Sequence, residues 1–286
     1  MKLENALYEV TFTLKGAEIQ SFTDKRTGIQ YMWQGDEKFW TGKNPTLFPI
    51  VGNTYTKDYE INGKRYAMKN HGIIRISTFT CIEQSDHRIV FELCDNEETR
   101  AVYPFSFRFH TIYELSDWGL TISYEITNTG ETDMPFSFGL HPGFNCPLME
   151  GESFEDYRLV FDHEEHLNHW IMDETAKKGV RIKPITVKEI PLRYAEIEAY
   201  ETLMYTGMKS NTVTLQGKEH GVRVGIAGYP MLAFWTCKPG APYLCIEPWY
   251  GYGDFYATEK DFYHRDGTMI LSPQKLFTTS YTIEVF

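Results

Sequence analysis

The chain has 286 residues, 42% hydrophobic and 15% aromatic, enough for a large buried core and too apolar for a disordered chain. Acidic residues outnumber basic ones, 39 to 28, leaving a net charge of -11, and no Lys/Arg run offers the patch that nucleic acid or anionic lipid requires. The opening MKLENALYEV lacks the apolar core of a signal peptide and nowhere do eighteen apolar residues run together, so a cytoplasmic protein with neither nucleic acid nor membrane as partner is expected.

Along the chain the dominant period is two. It begins in YEVTFTL near the N-terminus and returns in RIVFELC, FSFRFHTIYEL, LTISYEIT, TVTLQ, VRVGIA and the terminal YTIEVF. In LTISYEIT, Leu120, Ile122, Tyr124 and Ile126 alternate with polar residues, which gives one apolar face. Asn62-Gly63, between DYEI and KRYAM, predicts a two-residue hairpin turn, because both residues tolerate positive φ. PLRYAEIEAYETL is compatible with a short helix. No linker, repeat or shift of composition divides the chain. The expectation is an all-β fold, a large antiparallel β-sandwich over residues 1–286 as one domain.

Several stretches could carry chemistry. NHGIIR places His71 before a glycine and Arg75 shortly after, and FGLHPGFNCP sets His141 among two glycines and two prolines, a rigid corner at a strand end. DHEEHLNHW crowds three histidines, but on a helix they fan across the surface and on a strand His166 faces away from His163 and His169. Its H-E-x-x-H pattern also fails at Leu167, so a solvated polar loop is expected. YLCIEPWYGYGD reads as a buried strand ending in Glu247, a carboxylate that burial disfavours unless something pairs with it. Trp249, Tyr250, Tyr252 and Phe255 follow it, aromatic faces suited to sugar C-H surfaces or to plain packing. GYGDFY lacks the third glycine of a dinucleotide fingerprint and reads as a turn. Five cysteines, with no C-x-x-C pair, argue against a disulfide framework and a zinc ribbon and read as reduced, mostly buried thiols.

In their order along the chain, NHG, FGLHPGF and CIEPW resemble the aldose 1-epimerase (galactose mutarotase) family, in its bacterial mutarotase-related branch. GAEIQSF, GIQYMW, LFPIVG, NGKRY and SNTVTL extend the resemblance over nearly the whole chain. It implies a β-supersandwich with an open sugar cleft, no metal and no organic cofactor, and a sugar-bound monomer or homodimer. It also implies roles: Glu247 as the general base on the anomeric hydroxyl, His141 as the general acid on the ring oxygen, His71 hydrogen-bonding the sugar and Trp249 lining the cleft. Glu201 stands where the family usually carries an aspartate, and Asn53 where it commonly has an arginine, a charge that Arg75 is placed to supply instead. The resemblance thus implies a mutarotase of a free hexose such as glucose or galactose. The alternatives are a sugar-binding or sensor protein without catalysis, a hexose-phosphate 1-epimerase, and a glycoside hydrolase using Glu247 with Glu201.

Overall fold

The computed structural model describes residues 1–258 and 260–286. Strands take up 48% of the chain and helices 7%, so the molecule is all-β, a large antiparallel sandwich. Fifteen strands form one sheet, which runs from Thr46–Leu47 through Phe138–Leu140, Tyr243–Tyr250, Met231–Trp235, Leu203–Thr206, Arg158–Met172, Thr212–Gln216, Gly221–Gly225, Leu276–Val285, Gly119–Asn128, Phe107–Ser116 and Arg88–Cys94 to Thr80–Gln84. Gly143–Asn145 adds to Tyr243–Tyr250, and Val180–Pro191 adds to Arg158–Met172. A three-stranded sheet of Lys2–Glu4, Tyr8–Phe12 and Ile19–Asp24, the hairpin Asp58–Ile61/Lys64–Ala67 and the long-range pair Met134–Phe136/Met269–Leu271 complete the strands.

The period-two segments are strands for the reason their spacing gives. In Gly119–Asn128 the four apolar residues Leu120, Ile122, Tyr124 and Ile126 are buried and the intervening Thr121, Ser123, Glu125 and Thr127 are half-buried. Two core tyrosines have their hydroxyls satisfied by the main chain, Tyr103 donating to Pro135 O at 2.8 Å and Tyr113 to Ala17 O at 2.7 Å. Asn62 and Gly63 turn the Asp58–Ile61/Lys64–Ala67 hairpin with φ of 50° and 76°, as their pair predicts. Tyr194–Tyr200 is the short helix.

Tyr243–Tyr250 is different, because both of its faces are covered. Leu244 and Ile246 belong to the main core, whereas Cys245 and Trp249 lie in two separate apolar clusters on the opposite face. Glu247 shares that second face, so the site is built on the side of the sheet turned away from the main core.

Two expectations are corrected. DHEEHLNHW is not a loop but part of the long strand Arg158–Met172. A register shift between Val160 and Glu165 hides its alternation and turns Glu165 inward, where the carboxylate accepts the backbone N–H of Lys209 and Ser210. The cysteines are unpaired, but only Cys146 and Cys245 are buried; Cys81 and Cys237 are half-buried and Cys94 is exposed.

Candidate active site

The corner FGLHPGF interrupts a strand without changing its register. Gly139 pairs with Trp249 and Gly143 pairs with Cys245 on the same partner strand, so counting two residues inward from either end puts His141 opposite Glu247. Ile246 N–H donates to Pro142 O at 3.1 Å and holds the corner to that strand. The two side chains meet, His141 Nε2 lying 3.4 Å from Glu247 Oε1, and both residues are buried, 6% and 2% exposed.

The glycines of the corner make room for tryptophans. A Cβ at Gly139 would come within 2.7 Å of Trp249 Cδ1, and one at Gly143 within 3.1 Å of Trp40 Cζ3. Trp40 stacks on the His141 ring at 4.8 Å between centroids, and Trp235 meets it edge-on at 5.4 Å. Both tryptophans are partly exposed.

His71 approaches from the other side, its ring perpendicular to that of His141 at 5.4 Å. It sits in the left-handed region at φ 65°, fixed by two bonds to Gly52: its N–H donates to Gly52 O at 2.8 Å, and Gly52 N–H donates to its Nδ1 at 3.1 Å. Since Nδ1 accepts, the neutral ring carries its proton on Nε2 and offers a donor. Gly72 must be glycine, because φ is 76° and a Cβ would lie 2.2 Å from Phe48 O.

This chain matches the aldose 1-epimerase family over residues 1–283. The chain belongs to the aldose 1-epimerase family. Among curated relatives, the plasmid-encoded Protein LacX of Lactococcus lactis subsp. lactis is 30% identical over 264 residues, covering 88% of this chain and 87% of that protein. Two solved structures are similar: a galactose mutarotase related enzyme from Lactobacillus acidophilus, with TM-score 0.92 and 29% identity over 100% of this chain and 97% of that one, and a galactose mutarotase-like protein from Lactobacillus casei ATCC 334, with TM-score 0.93 and 27% identity over 100% and 99%.

The electrostatics of this site follow from burial. Burial pushes the Glu247 carboxyl well above the usual carboxylate range; the nearby Trp249 indole N–H, which has no hydrogen bond of normal geometry, opposes it. Burial likewise drives His141 well below its ordinary value, with His71 and Arg75 adding to the effect, and it lowers His71 to about 3 with help from Arg75. Both shifts favour the uncharged form of their group, the carboxylic acid of Glu247 and the neutral imidazole of His141.

Arg75, in the turn Ile74–Ile76, acts on both histidines and also lines a cavity of about 320 Å³ with Lys15, Lys43 and Glu18. Residues 43 and 45 of its wall accept the N–H of Gly143 and His141, which sets the cavity beside the corner. Burial pushes Glu18 up to about 7, against the pull of the Asn44 backbone and then the three cations. A second cavity, of about 380 Å³, is lined by Trp170, Tyr252 and Phe255, which pack on the Trp249 cluster. A further cavity, of about 560 Å³, is lined by Met68, Ile73 and Val102 among others and contains neither His141 nor Glu247.

The structure thus brings together His71, His141, Glu247 and Trp249, with Arg75 alongside. Asn53 is exposed, and among the described residues its one hydrogen bond is through its carbonyl, which accepts Asp254 N–H at 2.9 Å. Glu201 is exposed at φ 58° at the end of the helix Tyr194–Tyr200 and, among the described residues, makes no hydrogen bond or ion pair with the others. Trp40, Trp235 and Lys15 come from segments without a motif, so no sequence signal singles them out. One group among the described residues has metal-ligand character: His141, Cys245 and Glu247, whose donor atoms lie within 4.8 Å of one another.

Proposed function

We propose that the protein interconverts the α and β anomers of a free hexose such as galactose or glucose by opening and reclosing the hemiacetal, with Glu247 and His141 as the proton-transfer pair. The observation that carries this reading is the 3.4 Å approach of imidazole and carboxyl on one buried ladder, in a chain of this family. Ring opening takes a proton from the anomeric hydroxyl and gives one to the ring oxygen. Both oxygens are bonded to the same carbon, so two neighbouring groups serve them together. Sugar hydroxyls around the carboxyl favour its ionised form, and its proton passes to His141 Nε2. The carboxylate then takes the anomeric proton while the imidazolium protonates the ring oxygen. After rotation about C1–C2 the reverse transfers close the ring on the other face. His71 Nε2–H donates to the sugar, Arg75 supplies a positive charge, Trp249 offers its apolar face, and Asn53 and Glu201 take places at the rim.

Polarimetry or NMR exchange on freshly dissolved α-anomer tests it. Wild type should speed equilibration, and Glu247→Gln should slow it by ~10²–10⁴-fold, the usual worth of a positioned proton-transfer group. A wild-type rate equal to buffer overturns the reading; calorimetric sugar binding without exchange would instead identify a carbohydrate-binding protein.

A second reading, a phosphorylated hexose as substrate, is favoured by the cavity of Lys15, Lys43 and Arg75 beside His141. In competition, a hexose 6-phosphate should then displace the free sugar, and Lys43→Ala should abolish the preference.

A further inference from the structure

We propose that His141, Cys245 and Glu247 form a binding site for a borderline-soft divalent cation, Zn²⁺ above all, and that occupancy shuts off proton transfer. The metal claim stands on coordination geometry alone; the inhibition claim rests on the mutarotase reading. The three residues offer one nitrogen, one sulfur and one carboxylate oxygen, the donor types that zinc takes, and all three are buried. Their positions are set by the sheet: Cys245 and Glu247 point to the same face of one strand, and His141 stands across the ladder from Glu247.

The distances suit a tetrahedral ion better than a hydrogen bond. Zinc bonds of ~2.0–2.2 Å to nitrogen and oxygen at the tetrahedral angle put those two atoms about 3.4 Å apart. His141 Nε2 and Glu247 Oε1 are separated by 3.4 Å, longer than a good hydrogen bond. The sulfur edges of such a site measure roughly 3.6 Å, so the widest pair, within 4.8 Å, closes by about an ångström through side-chain rotation. A thiolate and a carboxylate cancel the charge of a divalent ion, and a neutral cluster is the form that burial tolerates. Three protein ligands leave the fourth position open.

Titration of the full-length protein with Co²⁺ and Zn²⁺, without sugar, tests the site. Wild type should take up one equivalent of Co²⁺ with a thiolate-to-metal charge-transfer band. Cys245→Ser should lose the band and weaken Zn²⁺ binding by at least the ~10–100-fold that loss of a ligand's supporting group costs, while Cys94→Ser, at an exposed thiol, keeps both. Circular dichroism checks that each variant is folded. Absence of saturable one-to-one binding, or an unchanged spectrum and affinity in Cys245→Ser, overturns the site. In the exchange assay Zn²⁺ should stop wild type and spare Cys245→Ser at the same concentration; equal inhibition of both overturns the inhibitory role. A wild type that binds Co²⁺ through Cys245 yet never speeds exchange leaves the metal site standing and removes the mutarotase reading.

Discussion

A carboxyl group taken out of water favours its proton, and two residues here show it. Glu18 rises to about 7 in the cationic cavity. The sign follows from linkage: with the folded value above the unfolded one, near 4.3, the folded chain holds the proton longer. Stability is therefore full below about pH 4 and falls as pH rises to about 7. Glu18→Gln should remove that loss. Urea denaturation should show the variant level with wild type at pH 4 and more stable by up to roughly 3 kcal/mol at pH 8, with the gain growing between them; a constant difference would contradict the assignment. If phosphorylated sugars occupy that cavity, their affinity should weaken as Glu18 ionises near pH 7, which calorimetry at pH 6 and 8 would read. The residue types of the pair were legible, because a glutamate closing an apolar run and a histidine locked in a glycine-proline corner are both out of place in ordinary packing. Cys245 was in view without its role, since spacing alone does not say which face of a strand another segment covers.

At the scale of elements, the corner is where strand and site become one object. Gly139→Ala would drive a methyl to 2.7 Å from Trp249 Cδ1 and 2.9 Å from Val51 Cγ2. Overpacking of this kind costs ~1–3 kcal/mol, and the indole must move. The expected result is a lower melting temperature together with weaker sugar binding, whereas a variant of wild-type stability with intact binding would mean the contact yields freely. Gly72→Ala meets backbone at 2.2 Å and a positive φ, so it should be the more damaging of the two by thermal denaturation. Alternation found the strands and Asn62-Gly63 found the hairpin, because those signals are local. DHEEHLNHW misled because a bulge breaks alternation in the middle of a strand, and the partner strands that fix such a bulge are remote in sequence.

Across the whole molecule, the last strand is an interior one. Leu276–Val285 lies between Gly221–Gly225 and Gly119–Asn128 and is the ladder through which the four strands of residues 80–128 join the rest of the large sheet. Deleting residues 276–286 should leave no cooperative unfolding transition by calorimetry, while a trimmed chain that still melts sharply would show the two parts to be independent. No helix among the described residues is long and apolar enough to cross a membrane. The cationic cavity draws Lys15, Lys43 and Arg75 from three separated segments, so it exists only once the chain has closed and no scan of the sequence would have assembled it. The register that carries on across the Pro142 corner has a practical meaning for anyone engineering this scaffold. Imidazole and carboxyl are spaced by main-chain pairing, as two teeth are spaced by the jaw that holds them. Segments around the corner can accordingly be exchanged while His141 and Glu247 keep their gap.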